Sequence, residues 1–134
     1  MAKRPEHKKT VLMIEDDELL AKMYQTKLTM AGLKVVLAHS ADHASEALKA
    51  HRPDLVILDI LLPKVNGFAI LKNLRKHPET MDCPVIILTN LTGSEVDMSE
   101  EMAEALGVVD YLVKSKVTPD KVLRSVLAAL GEHS

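Results

Sequence analysis

Five short apolar runs alternate along the chain with segments in which apolar residues recur at helical spacing. The densest run, Leu55–Leu58, is typical of a strand that is buried on both faces of a parallel sheet. Alternation of such strands with amphipathic helices indicates right-handed βαβ units, with helices covering both faces of the sheet. The predicted strands are Thr10–Ile14, Lys34–Ala38, Leu55–Leu58, Val85–Leu88 and Val108–Val113.

Signals for helix ends lie between these runs. Small polar residues that can accept a hydrogen bond from a first-turn N–H favour helix starts, and glycine favours helix stops. Proline at the first helical position, as at Pro119, is a further signal for a helix start. The signals are Gly32 after the first helix, Ser40 before the second, Asn66-Gly67 before the third, Ser94 and Gly107 around the fourth, and Thr118-Pro119 before the fifth. The pattern therefore predicts an α/β fold of class (βα)5, doubly wound into a three-layer sandwich.

The last predicted helix carries two apolar stripes rather than one. The first contains Val122, Val126 and Ala129, and the second contains Leu123, Leu127 and Leu130. One stripe is sufficient to face a core. The second stripe indicates either a wide core face, which is the favoured interpretation, or a surface for a partner.

Composition narrows the class of protein. With 134 residues, the chain is close to the roughly 150 residues of one domain. We expect this domain over residues 10–131, after a flexible basic tail over residues 1–9. A net charge of -2 and an aromatic content of 2% argue against direct nucleic-acid binding, and the longest apolar runs are too short for a membrane span. The single cysteine, Cys83, excludes an internal disulfide and fits a reducing compartment.

Polar residues capable of chemistry follow four of the predicted strands. Glu15-Asp16 follows the first, Asp59 the third, Thr89 the fourth and Lys114 the fifth. In a parallel sheet of strand order 2-1-3-4-5, all of them lie along one carboxyl edge, near the switch point where such folds bind ligands. Clustered carboxylates repel one another, and a divalent cation such as Mg²⁺ offsets that repulsion and attracts phosphate oxygens.

The residue types at this edge suit phosphoryl transfer. Asp59 could attack a phosphoryl group as a carboxylate nucleophile and form an acyl phosphate. Lys114 would offer a positive charge to the phosphoryl oxygens, and the Thr89 hydroxyl would offer a hydrogen bond.

These segments together resemble the receiver domain of two-component response regulators. The likeness extends over about residues 10–130, and the ordered set of motifs is more specific than any one of them. It implies a flavodoxin-like fold. The matching segments are Val11–Asp17, Asp54–Pro63 with Asn66-Gly67-Phe68, Pro84–Thr89 and Asp110–Lys114.

The resemblance implies a role for each residue of the predicted magnesium site. Asp59 would be the phosphoacceptor and a metal ligand. Asp16 would bind Mg²⁺ directly, and Glu15 would act mainly through metal-bound water. The backbone carbonyl of Leu61 would complete the protein's share of the metal shell.

The resemblance also implies a switch and its partners. Thr89 and Tyr111 would form the switch pair, and Lys114 would pair with the phosphoryl group and Asp59. The phosphoryl donor would be a histidine kinase or a histidine phosphotransfer protein of a bacterial, cytoplasmic two-component system. A downstream protein target would read the surface formed by the fourth and fifth βα units, and this surface would also allow a homodimer.

Three positions depart from the usual receiver pattern. Ser115 follows Lys114 where most receivers have proline, often after a cis peptide bond. Asn90 follows Thr89 where a small residue is usual. Glu15 replaces the commoner aspartate, although a longer carboxylate can still reach a metal-bound water.

Other classes of protein fit the sequence less well. Phosphatases of the haloacid dehalogenase type need Asp-x-Asp after the first strand, whereas this chain has Asp16-Asp17-Glu18. Toprim domains need a second aspartate at the position of Leu61. Flavin and nucleotide binders need a phosphate loop rich in glycine or hydroxyl groups, and the acidic loop here would repel phosphate without a metal. A degenerate receiver that only binds partners would not need the intact set of site residues.

Overall fold

A computed structural model of the protein describes residues 8–62, 65–78, 80–90 and 105–131. The strands of its parallel sheet are β1 (Thr10–Ile14), β2 (Lys34–Ala38), β3 (Leu55–Leu58), β4 (Val85–Thr89) and β5 (Val108–Val113). They lie in the order β2-β1-β3-β4-β5. This order and the predicted strands are confirmed, with β4 extending one residue further than predicted.

Helices cover both faces of this sheet, as the predicted three-layer sandwich requires. Helices α2 (Ala41–His51) and α3 (Gly67–Leu74) pack on one face, against side chains such as Leu12 and Val56. Helix α1 (Glu18–Met30) and the C-terminal helix (Pro119–Ala129) pack on the other face. The predicted fourth helix, from its Ser94 cap onward, lies almost entirely outside the described residues.

Three of the predicted helix starts are confirmed by their hydrogen bonds, and the one at Ser94 lies outside the described residues. Ser40 Oγ accepts a bond from the backbone N–H of His43 at 3.1 Å, and Thr118 Oγ1 accepts one from the N–H of Lys121 at 3.2 Å. Asn66 Oδ1 accepts a bond of 2.8 Å from the N–H of Phe68 at the start of α3. Asp17 caps α1 in the same way, so the acidic loop after β1 leads directly into that helix.

The two apolar stripes of the C-terminal helix both face the core. Val122, Val126 and Leu127 are buried, and Leu123, Ala129 and Leu130 are partly buried against the same cluster. The interpretation as a wide core face is therefore confirmed for this helix.

A short antiparallel ladder, Leu61–Leu62 with Val65–Asn66, lies between β3 and α3 and was not predicted. Strands of two residues have no hydrophobic periodicity from which to recognise them. None of the helices in the described parts of the chain is both long and apolar enough to cross a lipid bilayer.

Arg75, which caps the C-terminal end of α3, holds together several backbone segments at the amino edge of the sheet. Its Nε donates to the carbonyl of Leu106 at 2.8 Å. Its Nη1 donates to the carbonyls of Thr80 and Met81 at 2.9 and 2.6 Å, and its Nη2 donates to that of Cys83 at 2.5 Å. The guanidinium thus joins the loop before β4 to the residues before β5.

Gly107 leaves room for this guanidinium. Its backbone has a φ of +74°, and a Cβ at this position would lie 2.7 Å from Arg75 Nη2. The Gly107 carbonyl also accepts a bond of 2.9 Å from the N–H of Val85, the first residue of β4. A glycine is therefore required here both by conformation and by the neighbouring side chain.

Candidate functional site

Asp59 is the first residue after β3, and its side chain is 4% exposed. Its backbone N–H donates to the carbonyl of Ile14 at 3.0 Å, which ties it to the end of β1. Its Oδ1 accepts a bond of 2.9 Å from the N–H of Leu61. One carboxylate oxygen is therefore held by the chain itself, while Oδ2 faces the other polar residues of the site.

Glu15 and Asp16 follow β1, next to Asp59. Glu15 is 1% exposed, and its backbone N–H donates to the carbonyl of Ala38 at 2.9 Å. Asp16 is exposed at the mouth of the site. One carboxylate oxygen from each of Glu15, Asp16 and Asp59 lies within 4.8 Å of the others. The structure thus brings together the three side chains that the sequence assigned to a metal.

Lys114 contacts both buried carboxylates. Its Nζ lies 2.5 Å from Glu15 Oε1 and 2.6 Å from Asp59 Oδ2, and its side chain is 16% exposed. The residue begins a 3₁₀ turn, Lys114–Lys116, directly after β5. The Lys114–Ser115 peptide is trans. The expected pairing of Lys114 with Asp59 is therefore present, and the contact with Glu15 is additional.

Burial and the neighbouring charges shift the pKa values of Glu15 and Lys114 in opposite directions. Burial raises the pKa of Glu15 above its usual value, and this outweighs the opposing effects of Lys114 and of the N–H of Asp17. Burial lowers the pKa of Lys114, but the contacts and charges of Asp59 and Glu15 more than compensate and raise it. Lys114 is consequently a stable cation that holds two carboxylates together.

The site has the chemistry of a Mg²⁺ centre. All donors are hard oxygens, and within this group of four side chains the carboxylates outnumber the ammonium group by two. Glu15 Oε1 is shielded from solvent, and Lys114 Nζ lies beside it as the partner of an ion pair. A divalent cation would balance the excess charge and use this buried oxygen.

Thr89 and Tyr111 lie on the same face of the sheet, in the two strands β4 and β5 that follow β3 in its order. Thr89 is the last residue of β4 and is buried, whereas Tyr111 in β5 is half-buried. Tyr111 pairs with Ile87, two residues before Thr89, so the three side chains share one face. Burial, and then the negative charge of Asp59, raise the pKa of Tyr111. The predicted switch pair thus shares one face of β4 and β5, while most of the segment 91–106 lies outside the described residues.

Sequence reasoning missed two residues that shape this edge. A Cβ at Gly67 would lie 2.5 Å from Ile60 Cα and 3.0 Å from the Asp59 carbonyl oxygen, so only glycine fits there. A glycine at the first position of a helix was the available signal. His39 is half-buried, and its Nδ1 lies 3.0 Å from the Glu15 carbonyl oxygen. No sequence signal marks that contact, because the partners are far apart in the chain.

Two of the departures from the receiver pattern contact each other. The backbone N–H of Ser115 donates to Asn90 Oδ1 at 3.1 Å. Because proline has no N–H, this bond depends on a residue other than proline at position 115.

Comparison with known proteins agrees with this arrangement. Residues 11–127 match the family described as the response regulator receiver domain. The chain is 32% identical over 130 residues to the probable transcriptional regulator ycf27 of Porphyridium aerugineum, covering 95% of this chain and 51% of that protein. It is 35% identical over 114 residues to the phosphate regulon transcriptional regulatory protein PhoB of Rhizobium meliloti (strain 1021), covering 85% and 49% respectively. The chain thus spans about half the length of these curated relatives.

Solved structures show the same fold. A putative response regulator from Chloroflexus aurantiacus J-10-fl superposes with a TM-score of 0.79 at 29% identity, covering 94% of this chain and 100% of that one. The BeF3-activated N-terminal receiver domain of Klebsiella pneumoniae RstA gives a TM-score of 0.76 at 28% identity, covering 91% and 98%. The sequence match over most of the chain, the shared fold and the acidic site together show that this chain belongs to the response regulator receiver domain family.

Proposed function

We propose that Asp59 is the phosphoacceptor of this two-component signalling switch. The observation that carries the proposal is the environment of its carboxylate, which is buried, held at Oδ1 by a backbone N–H and paired at Oδ2 with Lys114. Such a group is fixed in place and has a cation beside it to receive the phosphoryl oxygens. Thr89, the last residue of the strand that pairs with β3, would add a hydrogen bond.

The reaction would be an in-line displacement at phosphorus. A carboxylate oxygen of Asp59 attacks the phosphoryl group of a donor phosphohistidine, an O–P bond forms, and the N–P bond breaks to release the imidazole. Hydrolysis of the resulting acyl phosphate by water resets the switch. The chain would therefore catalyse only its own phosphorylation and dephosphorylation, as a signalling module rather than an enzyme acting on other substrates.

Glu15, Asp16 and Asp59 would hold Mg²⁺, with the backbone carbonyl of Leu61 as a further ligand. When bound, Mg²⁺ would offset the repulsion between carboxylates and attract the phosphoryl oxygens. The fit rests on the hard oxygen donors, on their separation of less than 4.8 Å and on the buried Glu15 oxygen. Lys114 would remain paired with Asp59 and with the arriving phosphoryl group.

The signal would leave through β4 and β5. Thr89 and Lys114 stand at the ends of these strands, and the charge of Asp59 already acts on Tyr111. A new phosphoryl group would change the contacts of all three side chains, and only such differential contacts can shift a conformational equilibrium. A downstream protein would read the altered surface of these strands and of the elements beside them.

Partners are proposed from the family and from the exposed surface. The donor would be a histidine kinase or a histidine phosphotransfer protein. On α1, which begins beside the acidic loop, Leu19 is 86% exposed and Met23, one turn later, is 38% exposed, so apolar side chains are available for contact near the site. A homodimer would use β5, an edge strand on which Val109 is 53% exposed, together with the neighbouring helices. The buried free thiol of Cys83 supports a reducing, cytoplasmic location.

The proposal is tested by incubating the protein with acetyl phosphate and Mg²⁺ and measuring its intact mass. We expect the wild type to gain one phosphoryl group and Asp59→Asn to gain none. Asp42→Asn, which changes an exposed aspartate in the first turn of α2, is the matched control and should be labelled like the wild type. Equal labelling of Asp59→Asn would show that another residue is the acceptor.

A further inference from the structure

The Asn90–Ser115 bond continues the pairing of β4 and β5 beyond the end of their ladder. The last backbone pair of the two strands is Thr89 with Val113. One residue further along β4, the side chain of Asn90 accepts the N–H of Ser115 at 3.1 Å. The two strand ends are therefore joined by a side chain at the point where the backbone ladder stops.

Lys114 lies between these two attachments. Val113 before it belongs to the ladder, and Ser115 after it is bonded to Asn90. The backbone of Lys114 is thus restrained on both sides, and from this position its Nζ reaches Glu15 and Asp59. A long, flexible lysine side chain can be directed at two carboxylates only if its backbone is well placed.

The chemistry of Asn90 suits this location. An amide supplies the oxygen acceptor that the Ser115 N–H needs without adding charge. An aspartate would supply the same acceptor, but it would add another negative charge near a cluster in which carboxylates already exceed cations. A residue without a side-chain acceptor would leave the Ser115 N–H to water.

From this geometry we propose that Asn90 is a positioning residue for phosphoryl transfer, acting through the backbone of Lys114 by way of the Ser115 N–H. The inference rests on the proposed role of Asp59 as phosphoacceptor and adds the residue that places the cation beside it. Asn90 itself does not touch the reacting atoms in this assignment.

The expected effect is on the rate of phosphorylation by acetyl phosphate with Mg²⁺. Asn90→Ala should slow it by about threefold to tenfold, the factor that corresponds to losing one ordinary hydrogen bond. Ser115→Pro removes the donor of the same bond and should slow the reaction by a similar factor, and the two changes together should cost no more than either alone. Ser115→Ala keeps the N–H and should react like the wild type.

A second set of variants tests the route through Lys114. In a Lys114→Met background, Asn90→Ala should have no further effect on the rate, because the side chain that it positions is gone. If Asn90→Ala slowed the wild type and Lys114→Met equally, Asn90 would act independently of Lys114 and the proposal would be wrong. A wild-type rate for Asn90→Ala would also overturn it.

The outcomes separate this inference from the proposed function. No phosphorylation of the wild type would refute the role of Asp59, whereas phosphorylation that is indifferent to Asn90 would refute only the positioning role. Thermal unfolding of each variant shows whether it is folded. If Ser115→Pro does not fold, Asn90→Ala and Asn90→Leu in the two backgrounds decide the question without it.

Discussion

Replacing Lys114 with methionine should destabilise the metal-free protein in a way that depends on pH and is reversed by Mg²⁺. Methionine keeps most of the apolar length of the side chain but removes the ammonium group. Glu15 and Asp59, which are 1% and 4% exposed, then lose the cation that contacts both of them. Two buried carboxylates would face each other without compensation.

The expected loss in the free energy of unfolding follows from the burial of the ion pairs. Removing one partner of a fully buried ion pair costs about 3–5 kcal/mol. The Lys114 side chain is 16% exposed, so water partly screens the interaction, and we expect about 2–3 kcal/mol near pH 8. The raised pKa of Lys114 means that the wild type still carries the charge at this pH.

The pH dependence has a definite sign. Without Lys114, the pKa of Glu15 rises further, so the folded state holds protons that the unfolded state has released. Stability then falls as the pH rises above the usual range of a carboxyl group, and returns as the pH falls and Glu15 is protonated. Mg²⁺ at about 100 times its Kd should restore roughly 2.7 kcal/mol, because it binds only the folded state.

Urea unfolding followed by circular dichroism measures these free energies at pH 8 and pH 5.5, with and without Mg²⁺. Lys116→Met is the matched control, since Lys116 lies in the same 3₁₀ turn but is exposed, and it should cost less than about 0.5 kcal/mol. A loss in Lys114→Met that is the same at both pH values, in a variant whose own stability Mg²⁺ does not raise, would refute the electrostatic explanation.

Two further predictions concern residues around the site and in the core. Gly67→Ala should lower stability by about 1–3 kcal/mol and slow phosphorylation by on the order of 10²-fold, because the new Cβ would displace Ile60 and the adjoining Asp59. A normal rate of phosphorylation by acetyl phosphate would contradict the close approach of Gly67 to Ile60. Burial raises the pKa of Cys83 to about 11, so the folded thiol keeps its proton at pH 10 while the unfolded thiol loses it. Between pH 8 and pH 10 the wild type should therefore lose about 1 kcal/mol more stability than Cys83→Ala, as measured by urea unfolding, and parallel pH profiles would show that the thiol is not buried as described.

The sheet could be predicted because each strand is recognisable from the residues of its own segment. Runs such as Leu55–Leu58 are apolar on both faces, and turn and cap residues such as Ser40 mark where the chain changes direction. Once the strand order is assumed, the carboxyl ends of parallel strands must share one edge. Asp59 and Lys114 could therefore be placed together from the sequence, although 55 residues separate them.

Contacts that depend on three-dimensional distance could not be predicted in this way. Whether Lys114 contacts Glu15 as well as Asp59 depends on the length of each side chain and on how close the loop after β1 lies to the end of β5. The bond between Asn90 and Ser115 joins two positions that each looked like an isolated departure from the pattern. His39 gave no signal for its contact with Glu15, since neither helical nor strand periodicity relates the two.

The contacts of the Arg75 guanidinium within the described residues are bonds to backbone carbonyls, and this affects which positions can change among relatives. The residues that supply the carbonyls, such as Met81, which is 51% exposed, can change identity without losing the contact. A side chain at position 107 would disturb these bonds, because its Cβ would lie 2.7 Å from Arg75 Nη2. We therefore expect relatives that keep arginine at 75 to keep glycine at 107, while exposed positions of the loop before β4, such as Met81, diverge.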